Sequence, residues 1–286
     1  MNYRKLTRSI ARRGKGLHSG RDYGLSIEPS DGALSLEVQG ECLPLAQLAL
    51  EGTGRGSDLI FPDGKRVRTC EHVLSALVGS GVWQAKLVVT GGDKEFEMPG
   101  LDGCAANLAE EIAEKSVSLG VNPPGPGPLK LQVPIHVGDS SRFVTALPSA
   151  YFHVTYVIDY DAAPIGTQIF DYRDRAQGET GRSSDYLREI APARTFAMRS
   201  DVDALRAAGL ALGGSLDNAV LVDETGVETA GGLRFPDEFV RHKTLDLLGD
   251  LANLGRPLVA HVVAVRGGHV QHLQLVERLR AVSRTV

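Results

Sequence analysis

The feature that most constrains the fold is the segment VNPPGPGP, residues 121–128, near the middle of the chain. Its four prolines and two glycines cannot continue a helix or a central strand, because proline removes the backbone N–H that both structures need. A chain of 286 residues is long enough for one large domain or for two of moderate size. We therefore predict a linker at residues 122–128 between a first domain, residues 1–121, and a second domain, residues 129–286.

The hydrophobic pattern predicts the same order in both halves: strands, a helix, a strand and a closing helix. In the first half, YGLSIEPS and ALSLEV predict a hairpin, and TCEHVLSALVGSG predicts a helix. QAKLVVTGG predicts a strand, and DGCAANLAEEIAEKSVSLG predicts a helix with Asp102 as its N-cap. In the second half, LKLQVPIHV, SRFVTALPS and FHVTYVIDY predict strands before the long helix FPDEFVRHKTLDLLGDLANLG. This shared plan favours an α+β fold of packed layers.

A segment at about residues 197–223 departs from that order, and its pattern predicts a strand–helix–strand insertion in the second domain. It contains small and apolar residues, among them Ala208, Leu212, Gly214 and Ala219. Inserted elements often carry ligand contacts, although an ordinary core helix explains the pattern equally well.

The composition excludes several classes of protein. The net charge of −4 provides no polybasic surface for nucleic acid, and no apolar run reaches the roughly 18 residues of a spanning helix. The three cysteines, Cys42, Cys70 and Cys104, are odd in number and widely spaced, which indicates a reducing compartment and no disulfide framework. We expect a cytoplasmic monomer with neither a nucleic-acid partner nor a stable membrane anchor.

The long helix carries His242, Asp246 and Asp250 at steps of four residues. Residues four apart lie on one helix face, roughly 6 Å from each other, so His242 and Asp246 can bind one ion together. A histidine with a carboxylate suits zinc. Taken alone, however, the pair favours a solvated His–Asp contact, because helices contain such pairs by chance.

The tripeptide CEH, residues 70–72, offers a third ligand from the other half of the chain. Glu71 and His72 point roughly 100° apart on a helix, so one can ligate a metal while the other reaches the reacting atoms. A His72, His242 and Asp246 set would leave one position open for water, as in catalytic zinc sites, with Glu71 as the general base. The alternative, a helix start with a favourable acid and a half-buried histidine, is slightly favoured by these residues alone.

His269 follows two glycines and opens the last predicted helix. Asp250 could pair with it, and a carboxylate partner favours the imidazolium form, so His269 could donate a proton to a leaving group. Lys243 would add a fixed positive charge beside the site.

Seven motifs occur in one order: KGLHSG, CEHVLSAL, EMPGLDGCA, ARTF, GLALGGSLDNAVLVDE, GLRFPDEFVRHKTLDLLGDL and GH. Together they resemble the UDP-3-O-acyl-N-acetylglucosamine deacetylase family of lipid A (lipopolysaccharide) biosynthesis in Gram-negative bacteria. The resemblance covers nearly the whole chain and is strongest from Ala193 to His269. It implies two similar two-layer α/β domains with the active site between them. It also implies zinc-dependent hydrolysis of an N-acetyl group on a UDP-linked acylated amino sugar, which releases acetate.

The resemblance implies a role for each candidate in the chemistry. The residues that match the zinc ligands are His72, His242 and Asp246. Glu71 matches the general base, and His269 matches the general acid, oriented by Asp250. Thr195 of ARTF matches the threonine that helps to hold the tetrahedral oxyanion.

The resemblance also implies contacts with the substrate. Phe196 and Lys243 match positions that contact the sugar and its nucleotide-linked phosphate. The insertion matches a hydrophobic passage for the acyl chain, where the expected contacts are Leu212, Gly214, Ser215 and Ala219. Asp102 matches a structural aspartate, and we place His18 of GLHSG near the site without a catalytic role.

The chain departs from the family pattern at several positions. Cys70 stands where the family usually has Val, Cys104 where it has Ser, and His272 where it has Asn; VETAGGLR also lacks the usual Asn-Pro. We expect Cys70 in the core and not as a ligand. The departures leave the metal chemistry intact but bear on acyl-chain length and sugar contacts.

Two alternatives stay open, the first of which is motivated by these departures. One is a divergent zinc deacetylase of the same fold that acts on another acylated sugar. The other is a non-catalytic binding homologue, which would have lost at least one of the five central residues, yet all five are present: Glu71, His72, His242, Asp246 and His269.

Overall fold

The computed structural model describes residues 3–119, 127–173 and 182–283. The strands before residue 120 are β1 Arg4–Leu6, β2 Ile10–Lys15, β3 Asp22–Pro29, β4 Ser35–Val38, β5 Glu41–Pro44, β6 Ala49–Gly52, β7 Ser57–Ile60, β8 Arg66–Arg68, β9 Ala85–Thr90, β10 Glu95–Glu97 and β11 Ser116–Ser118. The α-helices of this part are α1 Glu71–Gly79 and α2 Ala106–Glu114.

The second part of the chain continues this mixed pattern. Its strands are β12 Leu129–Lys130, β13 Ile135–Gly138, β14 Phe143–Pro148, β15 His153–Asp159, β16 Thr167–Arg173, β17 Phe196–Met198, β18 Val220–Val222, β19 Val227–Glu228 and β20 Leu258–Val265. Its helices are α3 Arg182–Glu189, α4 Arg199–Ala207, α5 Glu238–Ala252 and α6 His269–Ser283. The elements β17, α4 and β18 have the strand–helix–strand order predicted for the insertion.

A five-stranded sheet in the order β2-β3-β9-β4-β5 forms the main layer of the first part. The predicted hairpin of β3 and β4 is wrong, because β9 lies between them, antiparallel to β3 and parallel to β4. The alternation of buried and exposed residues in β3 fixes which face is buried, but it does not specify the neighbouring strand. Smaller sheets, β10-β8-β7-β6 and β1-β11, complete this part.

The second part is organised around β20, which lies inside a sheet of order β13-β14-β20-β15-β16. Its sequence LVAHVVAV is almost wholly apolar; one face is fully buried, and His261, Val263 and Val265 on the other face are partly buried. The predicted strand LKLQVPIHV is divided into β12, which pairs with β20, and β13, which pairs with β14. Pro134 lies in the break, where its missing N–H removes a ladder hydrogen bond.

Helix α5 lies in the interior, where it packs against both α1 and α6. All of its residues are buried except Arg241 and Lys243, including the carboxylates of Glu238, Asp246 and Asp250. A buried charge is tolerated only when it has a partner, so we expect side chains of the neighbouring elements to pair with these three carboxylates.

The contact between α1 and α5 depends on Gly249. A Cβ atom at this position would lie 1.9 Å from the backbone carbonyl oxygen of Glu71. Only a residue without a side chain allows the two helices to approach so closely. This approach carries the first turn of α1, with Glu71 and His72, to the buried face of α5.

We predict that Gly249→Ala destabilises the protein by about 1–3 kcal/mol, because overpacked cores pay this order of cost. Alanine in a helix interior would otherwise be stabilising relative to glycine. The measurement is the midpoint of thermal unfolding, with Gly226→Ala as the control, since a Cβ there meets no described atom within 4 Å. A Gly249→Ala protein as stable as wild type would contradict the close approach.

Other predictions need correction or stay open. Asp102 is not the N-cap of α2, which begins at Ala106; its carboxylate instead accepts a hydrogen bond from Asn107 Nδ2 at 3.1 Å. The predicted end of that helix forms β11, which pairs with β1.

The mixed architecture agrees with an α+β fold. The predicted linker lies mostly outside the described residues, so the division into two similar domains stays a prediction.

Among the described residues, no helix combines the length and apolarity needed to cross a membrane.

Candidate active site

A cavity of about 670 Å³ lies where α1, α5 and the start of α6 face the insertion. The polar side chains that α1, α5 and α6 contribute to its lining are Glu71, His72, His242, Lys243, Asp246 and His269. Its apolar lining from the insertion includes Val202, Leu205, Leu216 and Ala219. A cavity that combines convergent polar groups with an apolar region is typical of a small-molecule site.

His72, His242 and Asp246 converge at this cavity. The Oδ1 atom of Asp246 lies 3.5 Å from His72 Nε2 and 3.4 Å from His242 Nε2, and the three ligand atoms lie within 4.8 Å of one another. All three residues are buried, and Asp246 Oδ1 has no hydrogen-bond partner among the described residues. A buried, unpartnered carboxylate oxygen facing two imidazole nitrogens fits a bound cation.

The environment of His242 leaves its Nε2 lone pair available. Its Nδ1 lies 3.1 Å from the carbonyl oxygen of Ala193, so Nδ1–H donates to that carbonyl. Burial lowers the pKa of His242 to about 4, which keeps the imidazole neutral. For His72, burial acts in the same direction, but Asp246 and Glu71 together raise its pKa above the ordinary value. A hydrogen bond at one ring nitrogen fixes which nitrogen can bind a metal.

The second oxygen of Asp246 contacts two cationic side chains. Lys243 Nζ donates to Asp246 Oδ2 at 2.6 Å, and His269 Nε2 lies 3.6 Å from the same oxygen. Burial alone would raise the pKa of Asp246, but His242, Lys243 and His269 hold it well below its usual range. Asp246 is therefore a carboxylate with one oxygen engaged and one oxygen directed at the two imidazoles.

Glu71 is the first residue of α1 and is 2% exposed. The backbone N–H of Ser57 donates to its Oε2 at 3.1 Å, which orients the carboxylate. Burial raises the pKa of Glu71 above its ordinary value, although His269 and His72 oppose the shift. A buried carboxyl group with a raised pKa in a cavity is suited to accept a proton.

His269 has the properties of a proton donor. Its Nδ1 lies 2.9 Å from Asp250 Oδ2, so Nδ1–H donates to that carboxylate and Nε2 is left at the cavity. Despite burial, Asp250 and Asp246 raise the pKa of His269 to about 9. The other oxygen of Asp250 accepts a hydrogen bond from the Ser57 hydroxyl. Ser57 thus contacts both carboxylates; its strand pattern offered no signal of this role.

Most of the remaining predicted site residues line the cavity, and Leu212 does not. The cavity lining includes Thr195, Phe196, Gly214, Ser215 and Ala219. The Phe196 ring packs edge-on against His242, with centroids 6.3 Å apart. Leu212 is not among the described lining residues; its side chain is 52% exposed and its N–H donates to the His18 carbonyl. His18 itself lines the cavity.

The cysteines lie outside the candidate metal set. Cys70 is fully buried and its thiol donates to the carbonyl of Val67. Cys104 contacts Arg234 and Asp102, and Cys42 is exposed. In the part of the chain that the structure describes, all three are free thiols.

Comparisons with known proteins give one family. The family model described as UDP-3-O-acyl N-acetylglycosamine deacetylase matches residues 3–281. A protein of Anaeromyxobacter dehalogenans named UDP-3-O-acyl-N-acetylglucosamine deacetylase is 36% identical over 98% of this chain and 88% of its own length. Proteins of the same name from Thermosynechococcus vestitus and a Nostoc species are 37% and 35% identical, over 93% and 99% of this chain and 90% and 100% of their own lengths. The chain belongs to the UDP-3-O-acyl N-acetylglycosamine deacetylase family.

Proposed function

We propose that this chain removes the N-acetyl group of UDP-3-O-acyl-N-acetylglucosamine by zinc-dependent hydrolysis, giving acetate and the free amine of UDP-3-O-acylglucosamine. One observation carries the proposal: the unpartnered Asp246 Oδ1 faces two imidazole nitrogens. Glu71 and His269 lie beside the same Asp246 carboxylate. Membership of the deacetylase family supports this reaction. The reaction belongs to lipid A biosynthesis, and the cytoplasmic location and monomeric state stay predictions.

His72, His242 and Asp246 would hold the zinc ion. Two neutral imidazole nitrogens and one carboxylate oxygen form a donor set that zinc prefers, and a fourth position would stay open. When bound, the ion polarises the acetamide carbonyl and makes water more acidic at that open position. The hydrogen bond from His242 to Ala193 and the contact of Lys243 with Asp246 would keep two of these ligands oriented.

Glu71 and His269 would divide the proton transfers. The Glu71 carboxylate takes a proton from the attacking water as the new C–O bond forms. The Nε2–H of His269 then gives a proton to the amine nitrogen as the C–N bond breaks, while Asp250 holds Nδ1–H. Thr195, which lines the cavity, would help to hold the oxyanion formed between these steps.

The apolar part of the cavity would accept the acyl chain. Val202, Leu205 and Leu216 from the insertion give this region its hydrophobic lining, together with Ala219. Gly214 and Ser215 would contact the same chain, and Phe196 the sugar. Lys243, whose ammonium group has three donors, would contact the nucleotide-linked phosphate while one donor stays on Asp246 Oδ2 at 2.6 Å.

The direct test is acetate release from UDP-3-O-acyl-N-acetylglucosamine by the purified, zinc-loaded protein. We expect one acetate for each free amine, with substrates of graded acyl length defining the length of the passage. Absence of turnover at full zinc occupancy would contradict the proposal. Turnover of another acylated amino sugar in its place would identify a divergent deacetylase.

We predict a bell-shaped pH profile for kcat/KM. Glu71 must be unprotonated to accept a proton, and its raised pKa places the acidic loss of activity above the usual range of a glutamate. His269 must be protonated to donate, so activity falls on the alkaline side near its pKa of about 9. The measurement compares wild type with His269→Ala, and an unchanged alkaline fall in that variant would contradict the assignment.

A further inference from the structure

Asp250 accepts hydrogen bonds from more groups than the pairing with His269 requires. His269 Nδ1 lies 2.9 Å and His272 Nδ1 lies 2.7 Å from the same oxygen, Oδ2. The Ser57 hydroxyl donates to the other oxygen. Because an ionised carboxylate only accepts hydrogen bonds, each imidazole must present an N–H to it. The carboxylate plane is therefore fixed by donors on both oxygens.

His272 reaches Asp250 because it lies three residues after His269 on α6. Residues at this spacing share a helix face, so α6 directs two imidazoles at one carboxylate of α5. The two rings have centroids 5.7 Å apart and an interplanar angle of 73°. His272 has no exposed surface, and it is not one of the described residues that line the cavity. It therefore reaches the site through its hydrogen bond to Asp250 and its ring contact with His269.

Tyr156 holds the other side of His272. Its hydroxyl oxygen lies 2.9 Å from His272 Nε2 and 2.8 Å from the carbonyl oxygen of Gly267. Because the proton of His272 is on Nδ1, where it meets Asp250, Nε2 accepts the hydrogen bond from the Tyr156 hydroxyl. Tyr156 belongs to β15, which pairs with the central strand β20, and its side chain is fully buried. The chain of contacts thus runs from the sheet through His272 to Asp250.

We propose that His272, anchored by Tyr156, is a positioning residue: it shares Asp250 with His269 and so fixes the direction of the His269 Nε2–H. This inference rests on the proposed function, in which that Nε2–H goes to the leaving amine. Asp250 has rotatable side-chain bonds, and a second N–H on Oδ2 restricts them. His269 is then presented to the cavity in one orientation before substrate binds.

Two substitutions at position 272 separate the contacts of the imidazole. The amide nitrogen of asparagine can occupy the place of Nδ1, so His272→Asn keeps a donor to Asp250 and loses Tyr156. The longer glutamine places its amide near Nε2, so His272→Gln keeps Tyr156 and loses the donor to Asp250. Tyr156→Phe removes only the hydroxyl. Tyr186→Phe is its matched control, because Tyr186 is equally buried and its hydroxyl bonds to Ser75.

We expect His272→Gln to lower kcat roughly 10- to 100-fold, the usual effect of losing an orienting partner, with KM and zinc content unchanged. We expect His272→Asn to retain most of kcat, and Tyr156→Phe to lose more than Tyr186→Phe. Equal losses in both His272 variants, or losses confined to KM or thermal stability, would overturn the proposal.

A spectroscopic measurement tests the inference without turnover. In the zinc-loaded protein, the Nδ1–H of His269 should give a downfield proton NMR resonance that His269→Gln removes. We expect the resonance to persist in His272→Asn and to shift or broaden in His272→Gln. A resonance unaffected by His272→Gln would overturn the positioning role. A protein that shows the expected resonances but no deacetylation would refute the proposed function alone.

Discussion

Replacing Glu71 with glutamine is expected to lower kcat by roughly two to four orders of magnitude, the usual contribution of a general base. Glutamine has nearly the same shape, and its carbonyl can still accept the Ser57 N–H that orients Glu71. It cannot accept a proton from water at neutral pH. The fold and the zinc content should therefore stay intact while turnover is lost.

The measurement is steady-state acetate release, with metal analysis and thermal unfolding of the same preparation. Glu110→Gln provides the control, because it makes the same chemical change on an exposed carboxylate of α2. Near-normal turnover in Glu71→Gln would mean that another group takes the proton. Loss of zinc in that variant would instead assign Glu71 to the metal.

Replacing Asp246 with alanine is expected to remove most of the zinc from the purified protein, because two imidazoles alone hold the ion poorly. Asp246 is also the buried partner of Lys243, and deletion of one member of a buried pair costs about 3–5 kcal/mol. Asp246→Asn keeps the shape and an acceptor for Lys243 but removes the charge. It should fold better than Asp246→Ala and still bind zinc more weakly than wild type.

Zinc content after gel filtration is the measurement for both variants. Asp237→Ala is the control, since Asp237 lies at the start of the same helix and pairs with Arg241 away from the cavity. We expect full zinc occupancy in this control. Full occupancy in Asp246→Ala would contradict the assignment of this carboxylate as a ligand.

The helix α5 was the most predictable part of the fold and of the candidate site. Steps of four residues placed His242, Asp246 and Asp250 on one face, and the structure directs that face at α1 and α6. Periodicity alone could not bring His72 to this face, because the contact depends on distant residues such as Gly249. The assignment of His72 to the same site as His242 and Asp246 came from the family resemblance, and the structure places the three residues together.

Other features depended on contacts that no local pattern encodes. The strand β9 follows β4 by more than forty residues yet lies between β3 and β4, because sheet order is set by packing and not by alternation. Tyr156 and His272 are one hundred and sixteen residues apart in sequence, and only the folded chain brings the Tyr156 hydroxyl to His272 Nε2 and His272 Nδ1 to Asp250. Leu212, which we expect to contact the substrate, is half exposed and lies outside the described cavity lining, so that contact stays a prediction.

The most direct test of the account is to locate the metal in crystals of the zinc-loaded protein by anomalous scattering at the zinc absorption edge. We predict one ion at about 2.0–2.2 Å from His72 Nε2, His242 Nε2 and the Asp246 carboxylate. Glu71 and His269 should face its open position without binding it. An ion held by other residues, or crystals of active protein with no anomalous signal at these three side chains, would contradict the account.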